Sequence, residues 1–319
     1  MKIVYTGEKD ARLFRDVLST TIPALTEEDA DVVYLDAGLM SCIGMFKWAQ
    51  TVPDKAINCG IAEANMVGIA CGMAAVGFKP YVHSFGPFAS RRCYDQAYLS
   101  GGYAGNAITI IGTDPGVCAA FNGGTHMPFE DMALYRAMPN ATVIDITDTA
   151  MLDDVLRKVK DMPGVKYIRV SRKDCVKVYE DGSSFEIGKG IALRDGTDLT
   201  FVASGIMVAK ALAAAEALEK EGISAAVLDM FTVKPIDTEL LVEYAKKTGA
   251  VVTAENHNKI GGLTSAVSET LSEKCPTILE YVAVEDIFGE VGPQNFLEER
   301  FGLTTEHLIE KARAALARK

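Results

Sequence analysis

An acid, a histidine and an arginine, each beside glycines or aromatic residues, carry most of the chemical information in this sequence. Glu63 lies in NCGIAEANMVGIACGMAAVGF, residues 58–78, where a turn gives way to a helix of apolar and very small residues. A carboxyl group at such a helix mouth has two readings. It is a helix-start acid worth about 0.3–1 kcal/mol, or a desolvated acid whose raised pKa suits it to proton transfer. His126 stands in the loop Gly123-Gly124-Thr125-His126-Met127-Pro128, where an imidazole either moves protons near neutral pH or serves structure alone. Arg172 follows an apolar run at 167–170. Its planar fork takes phosphate or sulfonate oxygens in pairs, unless it merely covers a strand end. Phe85 and Phe88 sit just past a strand expected at 79–84, where a parallel sheet presents its ligand-binding loops.

These side chains need a scaffold that ends several strands at one edge. Short β-branched runs at 32–36, 107–112, 142–145 and 167–170 read as buried parallel strands. Helices are expected at 9–25, ending near Pro23, and at 90–99, 129–138 and 147–160. Arg91 and Arg92, at the start of the second of these, read as solvated surface charges. Gly60, Ala64, Gly68 and Gly72 recur every four residues, a face with almost no bulk that another backbone can approach closely. A polar stretch ends this half, and the pattern then restarts. Strands are expected at 199–203, 225–229, 250–254 and 277–282, and helices at 208–221, 238–247, 263–273 and 304–317. The expectation is an α/β protein of two doubly wound domains with mostly parallel sheets, spanning 1–174 and 188–319 about a linker at 175–187. The turn Ser204-Gly205 reads as a packing contact rather than an anion site.

Composition narrows the partners. With 319 residues the chain can bury two cores. A net charge of −11 repels nucleic acid and anionic lipid, so no nucleic acid and no membrane is expected, and an anionic substrate needs a local basic pocket. Seven cysteines with no CxxC pair argue against a disulfide framework or a zinc site. Cys59, beside the key turn, reads as a small buried residue or a reactive thiol. The first residues break at once into polar ones, unlike a secretory leader, so a cytoplasmic location is expected.

The spaced run of GIAE, small-residue helix, SFxxF and YDQ resembles the pyrimidine-binding domain of the transketolase family, in the form that divides the enzyme between two chains, and the resemblance covers nearly all of the sequence. It implies that Glu63 hydrogen-bonds the aminopyrimidine ring of thiamine diphosphate. A carboxyl sharing a proton with N1′ favours the imino form of the 4′-nitrogen, which can then take the C2 proton. Phe85 and Phe88 would wall the ring, and Leu39 would prop the bent cofactor, although Gly38 replaces the family's acid before that leucine; Leu39 reads equally as core. His126 would face the thiazolium and the sugar hydroxyls, and Arg172 the substrate's anionic end. Asp114 stands where the family places a phosphate-holding histidine, and Asn122 where it places an aspartate that recognises a hydroxyl. Both are expected substrate contacts, and an acid at Asp114 argues against the common sugar phosphates.

The family's G-D-G and later asparagine, which hold Mg2+ and the diphosphate, are not in this sequence. The resemblance therefore implies half an enzyme, with no metal ligands assigned to this chain. A partner, the N-terminal transketolase subunit, would supply the diphosphate and Mg2+ site, and this chain the homodimer contact of a heterotetramer. Anionic sugars would be the substrates, and transfer of a two-carbon ketol unit the reaction. Two other readings stay open: the β subunit of a 2-oxo-acid dehydrogenase's decarboxylating component, and a non-catalytic assembly subunit.

Overall fold

In a computed structural model, which describes residues 2–319, the short apolar runs form strands buried on both faces, as their lack of alternation requires. Strands β1 (Val32–Asp36), β2 (Ala56–Asn58), β3 (Lys79–Phe85), β4 (Ile108–Thr113), β5 (Thr142–Asp145) and β6 (Val165–Val170) run parallel in the order β5-β6-β4-β3-β1-β2. The second half adds β7 (Ile191–Arg194), β8 (Leu199–Ala203), β9 (Ala225–Asp229), β10 (Thr232–Lys234), β11 (Ala250–Asn258) and β12 (Ile278–Val284). Its five-stranded sheet has the order β12-β11-β8-β9-β7, with only β7 antiparallel. The molecule is thus an α/β protein with two mostly parallel sheets.

The halves interlock. Strand β10, from the second half of the chain, pairs antiparallel with β5, completing a seven-stranded first sheet. The segment at 175–187 is pinned as well: Ile3 bridges Tyr179, Lys9 bridges Val176, and Val178, Tyr179 and Phe185 are buried. The Ser204 hydroxyl donates to Asp145 at 2.8 Å. A Cβ at Gly205 (φ +55°) would lie 2.7 Å from the same carboxylate, so this turn makes a packing contact between the halves.

Two expected helices differ. The first is the helix Phe14–Glu28, which runs straight through Pro23. A mid-helix proline costs about 3 kcal/mol, but Phe14, Val17, Leu18, Ile22 and Leu25 all bury one face, and that packing outweighs the lost bond. The segment at 90–99 is broken instead, with a 3-10 turn at Arg91–Cys93, a short helix at Tyr94–Gln96 and a π-helix at Ala97–Tyr103.

Asp229, at the end of β9, accepts hydrogen bonds from Thr147 Oγ1 and the Tyr179 hydroxyl, both at 2.7 Å. Burial pushes its carboxyl up to about 7. The folded state therefore holds this proton more tightly than the unfolded chain. The stability it contributes is full below the ordinary aspartate range and is lost as pH rises through about 7. Asp229→Asn, neutral throughout, should lose less stability than the parent between about pH 5 and about pH 8. Denaturant melts at both pH values check this; parallel losses would remove Asp229 from the pH response.

Candidate functional site

Because β1, β3, β4 and β6 are adjacent and parallel, their carboxyl ends meet at one edge of the first sheet. The segments that follow them carry Leu39, Phe88, Asp114 and Arg172, and Phe85 closes β3 itself. A buried polar chain ties three of these strand ends together. Asp36 Oδ2 accepts from the Tyr34 hydroxyl at 2.6 Å and pairs with His83 Nδ1 at 2.7 Å, and His83 Nε2 lies 3.0 Å from Thr113 Oγ1. Burial works against the Asp36 carboxylate, yet the bonds from His83, Tyr34 and the Leu39 amide together hold it below the ordinary range. As an ionised acceptor, Asp36 receives the Nδ1–H of His83 and orients the ring so that Nε2 faces the Thr113 hydroxyl. This chain sets the conformation of the 37–39 loop, and no local pattern of residues signals it.

Glu63 opens the helix Glu63–Ala75 and is only 2 % exposed. It is not a solitary acid. Arg92 Nη1 donates to both of its oxygens, at 2.9 and 3.1 Å, and the Ser84 hydroxyl lies 3.3 Å from Oε1. The same guanidinium stands 3.9 Å from the centre of the Phe88 ring. This corrects the expectation of a solvated Arg92 on a regular helix, since the 3-10 turn lets its side chain reach the carboxylate. Gly60 also differs from expectation: the helix starts three residues later, and Gly60 (φ +70°) shapes the preceding turn. Gly68 and Gly72 do lie on the helix, and a Cβ at either would meet open space.

The cluster extends without a break. His126 packs edge-on against Phe88 and Phe85, with ring centres 5.0 and 5.9 Å away, and its Nδ1 is 2.9 Å from the Thr125 hydroxyl. Arg172 lies over Phe85 at 4.9 Å and donates from Nε to Asp114 at 2.6 Å. Asp114 is 1 % exposed, with left-handed backbone at φ +56°. Burial pushes its carboxyl up, opposed by Arg172 and Lys173. It faces Arg172 rather than the open surface, so its influence on a ligand passes through that arginine. The structure thus links Phe88, His126, Phe85 and Arg172 in one row and joins Glu63 to its end through Arg92, with Arg92 and Asp114 as unforeseen ion-pair partners.

Leu39 is half-buried, its amide bonded to Asp36, and the turn before it approaches Gly60 and Ile61. Asn122 stands apart: it is exposed, and among the described residues no side-chain hydrogen bond ties it to the cluster. The loop bearing His126 is braced from the second half, since a Cβ on Gly124 would lie 2.3 Å from the Gly289 carbonyl oxygen. A cavity of about 340 Å³ lies beside this brace, lined by Arg91, Met127, Glu130 and Phe288, and includes neither Glu63 nor Arg172. Burial raises the Cys59 thiol, which leaves it a poor nucleophile.

Residues 11–176 match the transketolase pyrimidine binding domain, and residues 188–308 the transketolase C-terminal domain. A 6-deoxy-6-sulfo-D-fructose transketolase subunit from Clostridium sp. (strain MSTE9) is 45 % identical over 96 % of this chain and 95 % of its own length. An apulose-4-phosphate transketolase subunit from Phocaeicola vulgatus is 32 % identical over 93 % of this chain and 96 % of its own. A solved split-gene transketolase, described as an inactive beta4 tetramer, superposes with a TM-score of 0.88 at 39 % identity, covering 97 % of this chain and 99 % of that one. Among the described residues no helix is long and apolar enough to cross a membrane.

Proposed function

Since the chain belongs to the transketolase family, we propose that it is the pyrimidine-binding subunit of a two-chain transketolase that moves a two-carbon ketol unit from an anionic ketose to an aldose. The observation that carries this is the linked series of Glu63 joined through Arg92 to Phe88, then His126, Phe85 and Arg172, an acid, two aromatic rings, an imidazole and a guanidinium along one sheet edge. The family depends on thiamine diphosphate and Mg2+, and a buried carboxylate joined through Arg92 to an aromatic face fits a flat aminopyrimidine. Bound thiamine diphosphate would supply a carbon nucleophile for the ketose carbonyl. Glu63 would share a proton with the ring nitrogen, Phe85 and Phe88 would wall the ring, and Leu39 would prop it. His126 would exchange protons with sugar hydroxyls, while Arg172 would grip the anionic end and Asn122 would reach a hydroxyl.

The partner chain would hold Mg2+ and the diphosphate, in the cytoplasm. Residues 1–174 would form the pyrimidine-binding domain, 175–187 the linker and 188–319 the C-terminal domain. A second copy of this chain would pack on the face of Gly68 and Gly72, where Ile69 and Val76 are exposed at 38 % and 75 %.

The Asp114–Arg172 pair favours a sulfonated ketose. Asp114 takes one of the arginine's donors and offsets its charge. The field left at the fork suits a singly charged sulfonate better than a phosphate near −1.5 to −2, a rough value for neutral pH. The relative named for sulfofructose points the same way. With the reconstituted pair, kcat/KM for 6-deoxy-6-sulfo-D-fructose should exceed that for fructose 6-phosphate by about tenfold or more, of the order of one charge-assisted hydrogen bond. Equal or reversed preference would refute this substrate assignment.

A further inference from the structure

Arg92 does to Glu63 and Phe88 what a flat, nitrogen-bearing ring would do. Its Nη1 donates to both carboxylate oxygens, at 2.9 and 3.1 Å, while its guanidinium lies 3.9 Å from the centre of the Phe88 ring. A planar group that both donates N–H to a buried carboxylate and stacks on an aromatic face is what an aminopyrimidine carrying the shared proton at N1′ also offers. The two members of the pair are not equally free. The Glu63 side chain is 2 % exposed and has nowhere to go, whereas that of Arg92 is 44 % exposed and borders solvent. Arg91, next in sequence, is anchored separately to Glu130 at 2.8 Å, so one arginine can swing while its neighbour stays.

We propose that Arg92 is an internal occupant of the pyrimidine site, which keeps the buried Glu63 carboxylate paired in the cofactor-free protein and is displaced from it when thiamine diphosphate binds. This rests on the assignment of Glu63 and Phe88 to the pyrimidine site. A buried carboxylate stripped of Arg92, its charged partner among the described residues, is strongly disfavoured, so a stand-in donor keeps the empty site paired and ordered. The stand-in must leave as the ring arrives, because the ring's nitrogen needs the same carboxylate. Only the fraction of molecules with Arg92 swung out is competent to bind, and the apparent affinity is reduced by that fraction.

Arg92→Met keeps a long apolar stem against Phe88 but cannot donate to Glu63. Titrating thiamine diphosphate with Mg2+ into the reconstituted pair should give about tenfold tighter binding for Arg92→Met than for the parent, as the competing state is removed. Unchanged or weaker binding by a folded Arg92→Met variant would overturn the proposal. A second measurement needs no variant. Phenylglyoxal, which modifies free guanidinium groups, should label Arg92 of the parent pair faster with cofactor bound than without it, as read by peptide mass spectrometry. Equal or slower labelling would also overturn it. The displacement and the site it rests on separate in the same titration. A parent pair that does not bind the cofactor removes the pyrimidine-site reading itself; a parent that binds it, with Arg92→Met no tighter, removes only the displacement by Arg92.

Discussion

Glu63→Gln in the reconstituted pair is expected to lower kcat by about 10²-fold or more, the range of lost acid–base assistance. Glutamine keeps the size of the side chain and can still accept a hydrogen bond from Arg92, but it has no carboxyl proton to share with a ring nitrogen. Folding should change little. The side chain stays isosteric in its site, and the partner left without a counter-charge is an arginine already 44 % exposed. Steady-state kinetics beside a thermal melt separate the two effects. A folded, cofactor-loaded Glu63→Gln pair that turns over as fast as the parent would make Glu63 a helix-start acid and nothing more.

Arg172→Met should cut kcat/KM for an anionic ketose by roughly 10²-fold, mainly through KM, because charge-assisted bonds to the anion are lost in ground and transition states alike. An uncharged ketose should lose little. The variant also strips Asp114 of its partner, and this acid is 1 % exposed. Burial already favours its neutral form, so it can take up a proton rather than remain an unpaired charge. Equal losses on charged and uncharged donors would place Arg172 in structural support rather than substrate recognition.

The residues that make up the row are legible as types and spacings. Strand ends expected at 36, 84, 112 and 170 lie within one residue of those at 36, 85, 113 and 170, and a parallel sheet must bring such ends to one edge. What lies beyond the sequence is the set of partners. Arg92 sits among residues that read as an ordinary helix with solvated charges, yet the chain breaks into a 3-10 turn at Arg91–Cys93 and its side chain pairs with Glu63. Asp114 reads as an open substrate contact, yet its left-handed backbone tucks it beneath Arg172. His83, inside a buried strand, resembles any core position until its two nitrogens are seen to join Asp36 and Thr113. Pro23 misleads for a related reason: local propensity stops a helix there, while five buried side chains on one face carry it through. Strand β10 is three residues long, too short for periodicity to register, and its pairing with the other half's sheet is a purely long-range choice.

Whether this chain holds one half of a shared cofactor site is decided by calorimetric titration of thiamine diphosphate and Mg2+ into the isolated chain and into the chain reconstituted with its partner. The row of residues along the first sheet would provide a ring-binding face, while the G-D-G and asparagine expected to hold the metal and diphosphate are missing from the sequence. The isolated chain should therefore bind weakly and with little dependence on Mg2+, and the pair tightly and only with the metal. Tight, Mg2+-dependent binding by the isolated chain would contradict a site divided between two chains.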